Sequence, residues 1–180
     1  MRPVPFSYLL ASGAGLVLLA VIITVLVQIF STSTILVKQN TIAYSLSVGT
    51  IFGIGLFIVV FTSIKVLGKY LAQLNDINQQ LYAFFHKLNY WQIIVLSIMA
   101  GVGEELLFRG LIQRGLVNLS TPWIGIALAS LIFGLFHFMN RAYVIFAFLT
   151  GLFLGVLYHL SNDLYLVMVL HAVYDFCAFV

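Results

Sequence analysis

Two adjacent carboxylates, Glu104 and Glu105, stand in the apolar run WQIIVLSIMAGVGEELLFRG, with Arg109 just beyond them. A charge at the centre of a bilayer costs roughly 2.5–3.5 kcal/mol on insertion scales, so such groups need a use. Adjacent helical residues lie about 100° apart, so the two glutamates cannot do the same job. Glu105 precedes Arg109 by four residues and shares its face, which predicts an intrahelical ion pair. Glu104 is then free to face a cavity. His137 closes the run LIFGLFH, with Phe133 one turn before it, and His171 and Asp175 share one face of the last apolar run. Asp175 can orient the imidazole of His171 or join it in binding a reacting oxygen. A glutamate beside a neutral histidine can take a proton from water. A second histidine with a side-chain partner can face the oxyanion of a tetrahedral intermediate. The bland alternatives are carboxylates that reach the headgroups and a His–Asp bridge that glues helices together.

These residues must be held by helices that cross a membrane. Of the 180 residues 63% are hydrophobic and 7% charged, a composition of integral membrane proteins. A spanning helix needs about 20 mostly apolar residues. Five or six such stretches fit, near Tyr8 to Phe30, Ile42 to Leu67, Trp91 to Phe108, a short one from Trp123 to Phe138, Ala142 to Leu160 and Leu164 to Val180. The expected fold is an all-α polytopic transmembrane bundle of about six spans, forming a single membrane domain over 1–180. Lys69 to Asn89 carries apolar residues at helical spacing among polar ones, predicting an amphipathic interfacial helix. Arg109, Gln113 and Arg114 read as an interfacial continuation of the third span. Ser120-Thr121-Pro122 marks a helix start. Gly49 and Gly53, and again Gly151 and Gly155, are spaced for close helix packing.

Other chemistry is excluded or bland. There is no HExxH, no CxxC and no GxSxG elbow. Cys177 is the single cysteine and packs as a small hydrophobe. His86 and His159 read as interfacial. The net charge of +3 is spread out, which gives no nucleic-acid footprint. With six spans both termini share a side with Arg2, Lys65, Lys69, Lys87 and Arg141, against Lys38, Arg109 and Arg114 on the other. The positive-inside rule then puts the termini in the cytoplasm, with a bacterial plasma membrane as the expected location.

The motifs resemble those of the CPBP or Abi intramembrane protease family, which includes type II CAAX prenyl endopeptidases and bacteriocin-processing or immunity proteins. EExxxR corresponds to Glu104 through Arg109, FxxxH to Phe133 through His137, and HxxxN or HxxxD to His171 through Asp175. The resemblance covers about residues 91–179 as a protease-like core and leaves 1–67 as two additional spans. It implies an intramembrane endopeptidase in which Glu104 and His137 activate water, His171 and Asp175 form the oxyanion side, and Glu105 and Arg109 order the site. No cofactor is favoured; the alternative is zinc on Glu104, His137 and His171. The substrate would be a peptide or membrane protein, lipidated or not, met in the bilayer. The third motif ends in Asp175 where prenyl proteases carry Asn, so CAAX cleavage is not carried over. Two other classes compete: a non-catalytic scaffold or bacteriocin self-immunity protein on the same fold, and a small transporter with a protonatable site.

Overall fold

The computed structural model describes residues 5–30, 40–68, 76, 79, 81–83 and 85–180, with 26–30 by backbone alone. Among them no strand occurs, and the protein is an all-α polytopic membrane bundle. Helix α1 spans Phe6–Phe30 and α2 Ile42–Leu67. Helix α3 runs unbroken over Tyr90–Leu119, and α4 spans Pro122–Phe136. Helices α5 and α6 span Arg141–Ser161 and Leu164–Phe179. Four are long and apolar enough to cross a membrane: Phe6–Val25 within α1, and α2, α3 and α5. The apolar helices α4 and α6 are shorter. At 1.5 Å per residue they rise only about 22–24 Å, less than a hydrocarbon core of roughly 30 Å.

The helix starts are set by short polar side chains. Thr41 caps α2 by accepting from the Tyr44 amide. Asn89 and Gln92 form a reciprocal capping box on α3. Thr121 caps α4 with Pro122 in the first turn, Asn140 caps α5 and Asp163 caps α6. Each supplies an acceptor to an amide that the helix itself cannot satisfy. Between α5 and α6 the chain turns through Asn162, the one non-glycine residue with positive φ among those described, at 51°. Asparagine tolerates this left-handed conformation.

Helix α6 is the axis of the bundle, packed between α2 and α3. Both contacts rest on missing side chains. A Cβ at Gly49 or Gly53 would meet the carbonyl oxygens of Leu166 and Leu170 at 2.8 and 2.7 Å. One at Gly101 would meet Met168 O at 2.7 Å and Ala172 N at 2.8 Å. Only glycine permits backbones this close. Helices α4 and α5 form a second, tightly packed pair, and the latter half of α3 joins the two groups. Leu154, Leu164, Leu166, Val167 and Leu170 fill the core. Exposed Ile51, Ile58, Leu131, Ile145 and Leu149 give the outside the apolar character that a lipid contact requires.

The end of the third span differs from expectation. Leu106–Gln113 is π-helical and passes directly into the helix over Arg114–Leu119. Arg109 and Gln113 are buried, not interfacial: each lies inside the bundle, at 0% and 2% exposure. The wider turn of a π segment recurs at functional sites. The amphipathic helix expected from Lys69 to Asn89 lies largely outside the described residues. Of its described part, His86 stacks on Tyr82 and Phe85 on Phe179, at centroid distances of 5.1 and 3.9 Å.

Candidate active site

The junction between the two helix groups gathers every residue of the three motifs. Glu104, Glu105 and Arg109 come from α3, Phe133 and His137 from α4 and its C-cap, and His171 and Asp175 from α6. Arg109 Nε lies 3.1 Å from Glu105 Oε2, both side chains fully buried, so the pair expected from i,i+4 spacing is present. The Arg109 guanidinium also sits 4.9 Å from the centroid of the Phe133 ring, where the quadrupole attracts a cation. Phe108 meets the same ring edge-on at 5.0 Å. His137 and His171 flank it at 4.3 and 6.1 Å. Phe133 is therefore the common wall that spaces the cation and both imidazoles.

Both imidazoles are tied by Nδ1. His137 Nδ1 lies 2.8 Å from the Phe133 carbonyl oxygen, one helical turn back. A carbonyl only accepts, so Nδ1 carries the proton. His171 Nδ1 lies 2.8 Å from Glu105 Oε1 and donates to that carboxylate. Each Nε2 is thereby turned inward, toward one atom: Glu104 Oε2 is 3.4 Å from His137 Nε2 and 4.0 Å from His171 Nε2. Both distances exceed an N–H···O hydrogen bond. Among the described residues Glu104 Oε2 has no hydrogen-bond partner. The Glu104 and His137 side chains are 18% and 25% exposed, against 0% for Glu105 and 7% for His171. Access to the cluster is from the Glu104–His137 side.

The structure reassigns one contact. The sequence expectation had Asp175 able to hold His171 by a hydrogen bond. Asp175 Oδ2 stands 3.6 Å from His171 Nε2, too far for that bond, and Glu105 holds the ring instead. Asp175 faces the same inward Nε2 as Glu104 does. Glu105 therefore has two duties, to Arg109 through Oε2 and to His171 through Oε1.

Gln113, interfacial by its sequence position, instead donates from Nε2 to the Gly155 carbonyl at 2.9 Å and ties α3 to α5. Its signal was available, because Glu105, Arg109 and Gln113 recur every four residues along one stripe. Tyr143, 6.4 Å from His137 between ring centroids, had no sequence signal. His86 and His159 are exposed and away from the cluster, and His159 rests against Trp123. Cys177 is a free, half-buried thiol.

Zinc binds nitrogen and oxygen donors at about 2.0–2.2 Å, so its ligands must converge on one point. Among the described residues no group of three His, Cys, Asp or Glu side chains is placed to hold an ion. Glu104, His137 and His171 as they stand do not form such a cage.

A family model described as type II CAAX prenyl endopeptidase Rce1-like matches residues 86–177, which contain all three motifs. The chain is 30% identical over 124 residues to a Bacillus subtilis (strain 168) protein described as uncharacterized, YpbD. That alignment covers 66% of this chain and 60% of YpbD. No solved structure matches. With its motif residues clustered in a membrane bundle and half of its length matched, the chain belongs to the Rce1-like type II CAAX prenyl endopeptidase family.

Proposed function

We propose that this protein is an intramembrane endopeptidase that hydrolyses a peptide bond with water activated by Glu104 and His137. One observation carries the reading: both Nδ1 atoms are tied, so both Nε2 atoms face the Glu104 carboxylate. A neutral His137 presents a lone pair at Nε2, and Glu104 presents an acceptor oxygen. Two acceptors facing each other are satisfied by a molecule with two donors, which water is. Water donating to both is oriented and polarised for attack.

As the water oxygen bonds to the carbonyl carbon, Glu104 takes its proton. The oxyanion then faces His171 and Asp175. His171, as an imidazolium, donates from Nε2 while Nδ1–H remains on Glu105. Collapse of the tetrahedral intermediate breaks the C–N bond, and the proton held by Glu104 passes to the leaving nitrogen. The products are a carboxylate and an amine. Charge balance supports the scheme. Three carboxyls face one guanidinium, and a poorly solvated cluster approaches neutrality, so two further protons are held among His137, His171 and Asp175.

The ordering roles fall to Glu105, Arg109 and Phe133. We place the termini on the cytoplasmic side of a bacterial plasma membrane, from the excess of Lys and Arg on that side. The test is cleavage of a peptide library by the purified protein beside Glu104→Gln, with and without a strong chelator. Cleavage by the wild type and none by the variant supports the reading. Loss on chelation, restored by zinc, would instead assign Glu104, His137 and His171 as ligands. A folded wild type that cuts no peptide would favour a binding role on the same fold.

A further inference from the structure

At the end of the bundle where α3 and α5 stop and α4 and α6 start lies a polar pocket of about 180 Å³. Its walls are Gln113, Arg114 and Val117 of α3, Tyr158 and His159 of α5, and Asn162 of the turn that follows. It is separate from the motif cluster, because Arg114 follows Glu104 by ten residues, roughly 15 Å along a helix. Among the described residues the wall offers a guanidinium, an imidazole, a phenol and two amides, and no carboxylate. The nearest acid in sequence, Asp163, is committed elsewhere. It is fully buried, with Oδ2 accepting from Ser45 and Asn40 and Oδ1 from the Leu166 amide. Arg114 hydrogen-bonds Tyr158, so the phenol fixes the direction of the guanidinium. His159 is set against the Trp123 ring of α4, 6.1 Å away between centroids.

We propose that this pocket binds a phosphate group, as a phospholipid headgroup presents it, and that the bound phosphate clamps α3 to α5. Charge favours an anion. The planar guanidinium fork matches the oxygens of a phosphate, and His159 and Asn162 carry further N–H donors. Depth favours a lipid as the source. Trp123 and Tyr165, at the starts of α4 and α6, are exposed, and such rings sit at the headgroup level of a bilayer. The pocket therefore opens where lipid phosphates lie. Size limits what enters. One water needs about 10–15 Å³, so about 180 Å³ holds roughly a dozen water-sized groups, enough for a phosphate and its first shell. Pockets for whole organic ligands run from about 300 to 1,000 Å³, so the acyl chains stay in the bilayer. A cation near a helix C-terminus also complements the macrodipole. That accounts for Arg114 and His159 one at a time, but not for a carboxylate-free pocket between them. A phosphate held by both residues would join the same two helices that the Gln113–Gly155 hydrogen bond joins. The site stands whether or not the bundle hydrolyses peptides.

The experiment follows the thermal unfolding midpoint of the delipidated full chain in a detergent without phosphate. Three probes are titrated: a short-chain phosphatidylglycerol, a diacylglycerol of the same chains, and inorganic phosphate. A ligand that binds only the folded state raises the midpoint with its concentration. The phospholipid should raise it and the diacylglycerol should not. Arg114→Gln and His159→Gln should each raise the half-saturating phospholipid concentration by about tenfold or more, the scale of one hydrogen bond to a charged group. His159 is exposed, so its variant keeps the test open if Arg114→Gln, which also loses the Tyr158 contact, fails to fold. Lys65→Gln removes an exposed cation of α2 outside the pocket and should bind as the wild type does. A rise with inorganic phosphate alone, lost in both pocket variants, would keep the phosphate site and assign it a soluble ligand. Equal rises with phospholipid and diacylglycerol, or an unchanged half-saturation in His159→Gln and in any folded Arg114→Gln, overturn the proposal.

Discussion

Glu105 Oε1 lies 2.8 Å from His171 Nδ1, while Glu105 Oε2 lies 3.1 Å from Arg109 Nε. One fully buried carboxylate thus fixes an imidazole on α6 and neutralises a guanidinium on its own helix. The first glutamate of the motif is left with an oxygen that has no hydrogen-bond partner among the described residues. The two residues divide the work because adjacent positions on a helix cannot face the same way.

Removing the Glu105 charge should therefore damage folding before chemistry. Glu105→Gln leaves Arg109 buried without its counter-charge, a loss of roughly 3–5 kcal/mol for a broken buried pair. Thermal unfolding in detergent should show it as a large drop in midpoint. The double variant Glu105→Gln with Arg109→Met should recover much of that stability, because an apolar replacement of a buried pair is often neutral. A single variant as stable as wild type would contradict the pairing.

Asp175 should tolerate a neutral donor. It does not hold His171, so Asp175→Asn should fold normally and retain cleavage within about tenfold, since the amide also offers a donor toward the oxyanion. Asp175→Ala has no donor and should lose about 100-fold or more, the scale of one oxyanion contact. Equal losses in both variants, measured as kcat/KM, would show that the carboxylate itself is required.

Gly101 sets the distance between the motif helices. Gly101→Ala puts a methyl group 2.7 Å from Met168 O and forces α3 away from α6. Destabilisation of about 1–3 kcal/mol is expected from such overpacking, with cleavage falling alongside it. The control is Gly55→Ala, whose added Cβ meets nothing within 4 Å and should leave both unchanged. Equal behaviour of the two variants would remove the packing argument.

Much of this site is legible in the residues themselves. The three motifs each fall on a helix whose start is marked by a polar cap, so Thr121-Pro122 and Asn140 announce the elements that carry and follow Phe133 and His137. The Glu105–Arg109 pair follows from spacing alone. The partner of His171 does not, because it depends on how α6 is rotated against α3, and that is set by backbone contact at Gly101. The burial of Gln113 was obscured by its place after Arg109, where a polar cluster imitates a helix leaving the membrane. The π segment has no sequence signature in LLFRGLIQ, an ordinary mixture of helix formers. Tyr143 joins the site only through the pairing of α4 with α5, a long-range contact that local pattern does not encode.

Replacing Glu104 by glutamine tests the central claim most directly. The change is nearly isosteric, and Glu104 supports neither Arg109 nor His171 by a short contact, so the folded bundle should persist with an unchanged unfolding midpoint. In single-turnover cleavage of a peptide cut by the wild type, the account predicts loss of at least about 100-fold, the low end for general base catalysis. A folded Glu104→Gln protein cutting the same bond at the wild-type rate would contradict it.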